Sequence, residues 1–308
     1  MTEKMVLLYG SLQLGFLYGL LAMGIFISFR ILNIPDLTAE GSFTFGLAVS
    51  AAFTVAGHPI LGIFMAIFAG AFAGILTGVL QTKLMIHPVL AGILTMGGLY
   101  TVNLGVMGNS SNLSLIGSDT IFKIVYTNLT GGNRDLGRIL LAVFAAGAVF
   151  GILIFFFQTQ LGLCIRATGD NEDMVRASSI NVDATKIIAL AVSNACTALS
   201  GGLIAQYQGF ADISSGVGIL VVGLASVIIG EVILGKRGVI IGLLSAIVGA
   251  VIYRFIIAFA MQSNWFPASA LKLVSACIVA AALSLPALRY YMEVAKIKKG
   301  AQKHVRDN

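Results

Sequence analysis

Charged side chains are scarce in this chain of 308 residues, where Lys, Arg, Asp and Glu together make up 10% of the sequence. Soluble domains carry about 25% charged residues, so this composition excludes an ordinary globular protein. Hydrophobic residues reach 58% and the mean hydropathy is +0.96, which excludes a disordered chain. Three cysteines are too few for a disulfide framework. What remains is a protein of the membrane.

Catalytic and metal-binding motifs are missing as well. The sequence has no G-x-x-x-x-G-K-[ST] phosphate loop, no H-E-x-x-H and no cysteine pair at metal-ligand spacing. Its three histidines, His58, His87 and His304, stand far apart at the edges of apolar segments. We therefore expect a chain that is not an enzyme, with no catalytic residue, no metal and no cofactor, and with no nucleic acid partner. If ATP drives its activity, another chain must bind the nucleotide and its Mg²⁺.

Glycine, by contrast, is abundant, with 36 residues against five prolines. Lipid gives helices no hydrophobic reason to associate, so membrane bundles use small residues that let helix backbones approach closely. The glycine content therefore predicts tightly packed helices.

Long uncharged segments are frequent, and the charges between them mark the ends of candidate membrane helices. A helix needs about 20 predominantly apolar residues to cross the hydrocarbon core. On this basis we predict nine spans, at residues 5–29, 43–56, 60–80, 88–107, 139–157, 187–209, 219–234, 239–261 and 270–288. The predicted fold is an all-α polytopic membrane protein with about nine transmembrane helices (8–10), in a single domain over residues 1–308.

Lys and Arg are distributed unevenly among the loops. They are frequent in the tail 289–308 and in the hydrophilic loop 158–186, and they recur in the short turns at Lys83 and at 236–237. Positive charge in short loops favours the cytoplasmic side of a membrane. We therefore expect a multi-pass plasma membrane protein surrounded by lipid, with its C-terminus and the loop 158–186 in the cytoplasm.

A weak internal echo relates two short polar strings. Asp36-Leu37-Thr38-Ala39-Glu40-Gly41 follows the first predicted span, and Asp212-Ile213-Ser214-Ser215-Gly216 follows the sixth. Five spans lie between the strings, so they face opposite sides, as in an inverted-topology repeat whose interrupted helices line a substrate path. This assigns Asp36, Thr38, Glu40 and Asp212 to the pathway. The alternative is a solvated turn in which Thr38 or Asp36 caps the second span.

Uncharged polar side chains inside the spans add three pathway candidates, Asn103, Asn194 and Gln206. A polar solute that crosses the bilayer needs such groups. Hydrogen bonds between helices would explain them equally well without a ligand.

The loop 158–186 contains a candidate docking element. Asp170, Glu172 and Asp173 are typical of a helix start, and a helix of about ten residues is predicted to end near Asn181. A short polar helix that projects from a membrane bundle is a lever that another protein can bind. The alternative is a simple connector.

Through most of the chain, and most strongly from Gly162 to Gly230, the sequence resembles the permeases of bacterial ABC importers for branched-chain amino acids and, more distantly, for ribose. The pattern is R-A-x-G-x-N-x-x-x-x-x-A-x-x-I-N, followed by Leu199-Ser200-Gly201-Gly202-Leu203. The resemblance implies a type II-like importer architecture in which this loop is a coupling helix seated in a groove of the ATPase subunit. It assigns that role to Arg166, Gly169, Asn171, Glu172, Arg176, Ala177 and Ile180. Ser179 departs from the pattern, since the family usually has Gly there.

The string D-L-T-x-E-G, from Asp36 to Gly41, resembles a narrower subgroup of these permeases that is associated with binding lipoproteins for aromatic amino acids. The resemblance implies a homodimer in the bacterial plasma membrane, with an ABC ATPase and an extracytoplasmic substrate-binding lipoprotein as partners. A stand-alone secondary transporter is the alternative, although no acidic relay runs through the spans. A structural scaffold would not need polar residues inside them.

Overall fold

The computed structural model describes residues 3–129, 131, 133–235 and 238–262, with isolated helical positions at 276, 277, 280 and 284. Helices dominate, and the elements are α1 (Glu3–Phe26) continued by a π-helix (Ile27–Ile31), α2 (Thr38–Val55), α3 (Pro59–Thr82), α4 (Pro88–Val106), β1 (Asn112–Ser114), α5 (Ile121–Leu129), α6 (Arg134–Gln158), α7 (Gln160–Asp170), α8 (Glu172–Ala177), α9 (Val182–Gln208), β2 (Phe210–Asp212), a 3-10 turn (Ile213–Gly216), α10 (Ile219–Leu234) and α11 (Val239–Gln262).

Seven helices in the described part of the chain are long and apolar enough to cross a membrane: α1 with its π-helix, α3, α4, α6, α9, α10 with the preceding 3-10 turn, and α11. The apolar windows of α1 and α9 are 78% and 72% buried, whereas that of α6 is 17% buried. Burial therefore places α1 and α9 at the centre of the bundle and α6 at its lipid-facing edge. The more polar α2 packs against α3, α4 and α9 and is largely buried.

The first eight predicted spans all correspond to helices in the structure. The ninth, at 270–288, and the basic tail 289–308 lie outside the described residues apart from isolated positions. Three predicted starts were wrong by five residues: α2 begins at Thr38 and not at 43, α6 at Arg134 and not at 139, and α9 at Val182 and not at 187. In each case a charged residue lies inside the helix and did not end it. In α6 this residue is Arg138, whose guanidinium lies over the Tyr207 ring, 5.1 Å from the centroid.

The polar segment 108–138 is more ordered than the sequence predicts. Three of its residues form β1, which pairs antiparallel with β2, so that Asn112 lies opposite Asp212. Helix α5 follows and packs against α6. Among the described residues the fold is therefore all-α except for this short ribbon. We call this end of the bundle the ribbon end, and the end that carries α7 and α8 the lever end.

The predicted ten-residue helix near Asp170 is shorter in the structure. Helix α8 spans six residues, because Ser179 adopts a positive φ of 61° and Asn181 already caps α9 by accepting from the Ala184 N–H. Positive φ is strained for residues with a Cβ. This explains why glycine suits the position of Ser179.

Candidate translocation site and coupling surface

Two interruptions break the helices of the bundle. The first comprises residues 32–37 between the π-helix and α2, and the second comprises residues 209–218 between α9 and α10. Each uses an aspartate in the same way: Asp36 Oδ1 accepts from the Thr38 N–H at 2.9 Å, and Asp212 Oδ1 accepts from the Ser214 N–H at 2.7 Å. An Asp side chain that bonds to the backbone two residues on stabilises a turn that starts a new helix.

The two interruptions enter the bundle from opposite ends. In the first, the Asn33 side chain donates to the Gly169 carbonyl at the lever end, at 3.0 Å. In the second, β2 is paired with β1 at the ribbon end. Helix α6 connects these two ends, so the interruptions start from opposite ends of the bundle.

The interruptions meet at Glu40, in the first turn of α2. Its Oε1 accepts from the Gly218 N–H, directly before α10, at 3.0 Å. A Cβ at Gly216 would clash with the Glu40 carbonyl, so only glycine permits this approach. A half-buried carboxylate therefore lies where both α2 and α10 begin.

Asp36 is fully buried and connects three elements. Its Oδ2 accepts from Asn194 Nδ2 of α9 at 2.6 Å, and no ion pair to it forms among the described residues. The neighbouring Thr38 hydroxyl is 2.7 Å from Thr77 Oγ1, which donates to Thr95 Oγ1 at 2.9 Å. These buried bonds tie α2 to α3, α4 and α9. The structure thus does not place Asp36 and Thr38 in a solvated turn.

The three uncharged candidates differ in how fully they are bonded. Gln206 is satisfied: its amide donates to Ser50 Oγ and the Pro59 carbonyl and accepts from the Ile121 N–H. By contrast, Oδ1 of Asn103 and Oδ1 of Asn194 are buried and have no partner in the described part of the chain. Gln206 therefore holds helices together, whereas the two asparagines keep free acceptors.

Ser42 was missed from the sequence. Its buried Oγ has no partner among the described residues, and it lies two positions after Glu40 on α2. The sequence did contain a signal for this residue, because Ser42 directly follows the D-L-T-x-E-G string.

The residues assigned to ATPase coupling fall into two groups. Asn171, Glu172 and Arg176 shape α8: Asn171 caps it through the Met174 N–H at 3.0 Å, and Glu172 pairs with Arg176 at 2.9 Å and with Lys186 of α9 at 2.6 Å. The hydrogen bond from Lys186 lowers the pKa of Glu172, so this link is present at neutral pH and weakens as the pH falls. The structure thus gives these side chains partners within the chain.

The second group consists of Arg166, Gly169, Ala177 and Ile180. Gly169 packs against the π-helix so closely that a Cβ would clash with the Ile31 carbonyl. Arg166 and Ala177 are exposed and Ile180 is half-buried. The side chain missed from the sequence is Met174, a large apolar group that is 68% exposed on α8.

A second ion pair was also missed. Arg30 of the π-helix bonds to Glu231 near the end of α10, and both lie at the lever end. The pairing itself joins positions 201 residues apart, which the sequence does not reveal.

A lipid-facing helical bundle with two interrupted helices that meet in its interior is the architecture of a membrane transport protein. Residues 7–283 match the family model described as branched-chain amino acid transport system / permease component. The chain therefore belongs to this permease family.

Relatives agree with this assignment, and a solved structure has a similar fold. A tyrosine transport system permease protein of Clostridioides difficile is 36% identical over 266 residues, covering 86% of each chain. The autoinducer 2 import system permease protein LsrC of Yersinia enterocolitica is 26% identical over 256 residues, or 80% of this chain and 65% of that one. The fold is similar to a metal-chelate type ABC transporter solved in an inward-facing conformation, with a TM-score of 0.53, 13% identity and coverage of 91% and 84%.

Proposed function

We propose that this chain is the membrane-spanning subunit of an ATP-driven importer whose solute is an aromatic or branched-chain amino acid. It works as a homodimer with separate ATPase subunits, which bind ATP and Mg²⁺, and with an external substrate-binding lipoprotein. The observation that carries the proposal is the contact between Glu40 and Gly218, which joins two interrupted helices in a chain of this permease family. The tyrosine permease relative supports an amino acid as the solute.

We also propose that the bundle contains an inverted repeat that relates α1, α2 and α3 to α9, α10 and α11. Packing supports it: α1 packs against α11 as α9 does against α3, and α2 packs against α3 as α10 does against α11. The repeat exchanges α1 with α9 and α2 with α10, so it also relates the contact between α2 and α9 to the contact between α10 and α1, and both contacts are present. Under this symmetry Asp36 corresponds to Asp212, in agreement with their matching turns.

In the same proposal the lever end faces the cytoplasm and α8 docks on the ATPase. Gly169 and Asn33 connect α7 to the π-helix, so a force applied at α8 would reach α1. A stand-alone secondary transporter would give this projecting element no partner.

Transport by the reconstituted complex tests the proposal. The chain is expressed with its ATPase and binding protein and placed in liposomes with the binding protein on the side opposite the ATPase. We expect uptake of L-tyrosine or L-leucine that requires both ATP and the binding protein. Uptake driven by an ion gradient without ATP would instead favour the secondary transporter.

Met174 is expected to anchor the ATPase. Burying a methionine side chain in an interface stabilises binding by about 1.5–3 kcal/mol, and each 1.4 kcal/mol is about tenfold in affinity. Met174→Asp should therefore weaken ATPase binding about tenfold or more, as measured by co-purification and by substrate-stimulated ATP hydrolysis. Met174→Leu keeps the apolar surface and should bind normally. Full coupling in Met174→Asp would contradict the docking role of α8.

A further inference from the structure

A cavity of about 320 Å³ lies at the lever end, between the π-helix, α7, the last turn of α10 and the first turn of α11. This volume is at the lower end of the range of about 300–1,000 Å³ typical of small-molecule sites. Charged side chains from three elements line it: Arg30, Arg166, Asp170 and Glu231. The translocation candidates around Glu40 are not among its lining residues.

Two of the four charged side chains pair with each other, and the other two form no ion pair with a described residue. Arg30 and Glu231 form the ion pair described above. Arg166 and Asp170 stand four residues apart on α7, where side chains share a helix face. Neither forms an ion pair within the described part of the chain. The cavity therefore presents one available cation and one available anion and carries no net charge from its described side chains.

The remaining wall is apolar. Phe26, Ile31 and Val239 line the cavity, and a Cβ at Gly242 would clash with the Phe26 ring, so glycine keeps the ring seated against α11. A ligand that suits this cavity has a carboxylate, an ammonium group and an apolar or aromatic side chain. A simple anion or cation would leave one of the two available charges unpaired.

We propose that this cavity is a cytoplasmic binding site for a free amino acid of the kind that the transporter imports. Arg166 binds the carboxylate, Asp170 binds the ammonium group, and Phe26 with Ile31 contacts the side chain. The proposal rests on the proposed function for the solute class and for the cytoplasmic position of the lever end. Because Arg166 and Asp170 are exposed, water screens both contacts, and we expect weak binding.

The position of the site gives the bound amino acid a regulatory effect. It contacts α7, which precedes the docking helix α8, together with the π-helix and α11. A ligand that bridges elements favours the conformation in which they are close. Because α7 and the π-helix pack closely together, we expect transport to move this pair relative to α11, and the bound amino acid that bridges them then slows further import.

Proteoliposomes with the ATPase side outward provide the test, because the two faces of the complex are then separate. Loaded binding protein is enclosed in the lumen, and L-tyrosine or L-leucine is added outside together with ATP. We expect the stimulated ATPase rate to fall by half at millimolar external amino acid. Tyramine, which lacks the carboxylate, and desaminotyrosine, which lacks the ammonium group, should each need at least fivefold higher concentrations.

Substitutions locate the effect. Asp170→Asn should raise the inhibitory concentration at least fivefold, whereas Asp173→Asn, which removes the same charge outside the cavity, should not change it. Saturation-transfer NMR of L-tyrosine with the complex in nanodiscs should show binding that Asp170→Asn weakens. The inference is wrong if the complex hydrolyses ATP normally but external amino acid does not slow it, or if Asp170→Asn is inhibited equally. Absence of any stimulated ATPase activity would instead count against the proposed function.

Discussion

Replacing Glu40 by alanine is expected to reduce ATP-driven uptake about tenfold or more while the chain still inserts and binds its ATPase. The substitution removes the acceptor of the Gly218 N–H and a negative charge at the start of α10. A hydrogen bond to a charged group is worth about 1.5–3 kcal/mol, and the charge interacts favourably with the helix dipole by about 0.3–1 kcal/mol. The contact between the two interrupted helices would therefore weaken substantially.

Glu40→Gln separates the two possible roles of the carboxylate. The amide oxygen can still accept from Gly218, but the charge is gone. If Gln restores uptake, the residue positions α10; if Gln fails as alanine does, the charge itself acts on the solute. Initial uptake rates, normalised to the amount of chain in the membrane, distinguish these results.

Thr54→Ala on the same helix is a matched control, because the buried Thr54 hydroxyl donates to the Ser50 carbonyl of its own helix. It should transport normally. Uptake at the natural rate in Glu40→Ala would show that the D-L-T-x-E-G string has a role other than transport.

The helices could be predicted from the sequence because every helix that crosses the hydrocarbon core needs about 20 predominantly apolar residues. Helix α10 occupies the predicted residues 219–234, and α3 differs from its prediction by only one or two residues at each end. The prediction was wrong where a charge was taken as a boundary. Arg138 stays inside α6 because an aromatic ring accepts its guanidinium, a contact that depends on a residue far along the chain.

The site could be predicted as a set of residues but not as an arrangement. Asp36 and Asn194 were each singled out as polar groups at membrane depth, yet only the fold brings the carboxyl and the amide together. Asp36 and Asp212, which the echo in the sequence relates, form similar turns. The contact between Glu40 and Gly218 had no sequence signal, since a backbone N–H accompanies every residue except proline.

The glycines also show that the sequence predicts which residue types matter but not how they are arranged. Their number predicts close packing, but not which of them are at contacts. On α3, Gly70, Gly74 and Gly78 recur every four residues and face α9, where a Cβ on any of them would clash with its backbone. On α6, Gly147 and Gly151 have the same spacing, and nothing lies within 4 Å of a Cβ at either position.

Replacing Gly74 by leucine is expected to prevent stable folding of the bundle. Its Cβ would overlap the Leu190 carbonyl, and the backbone of α9 cannot move aside as a flexible side chain could. Overpacking a core costs about 1–3 kcal/mol and occasionally more. Here α3 would have to separate from α9 along the row that also carries Gly70 and Gly78, which removes the close backbone packing on which membrane helices depend. The loss would therefore exceed that of a single clash.

Gly147→Leu is the matched control, because it places the same side chain on the open face of α6. We expect Gly74→Leu to give little monodisperse protein in detergent, Gly74→Ala to give protein with a lowered melting temperature, and Gly147→Leu to match the natural chain in yield and melting. Thermal unfolding followed by size-exclusion chromatography measures all three. A natural melting temperature in Gly74→Leu would mean that α3 and α9 are not in backbone contact, and the buried bonds from Asp36 and Thr38 that depend on this packing would then need a different arrangement.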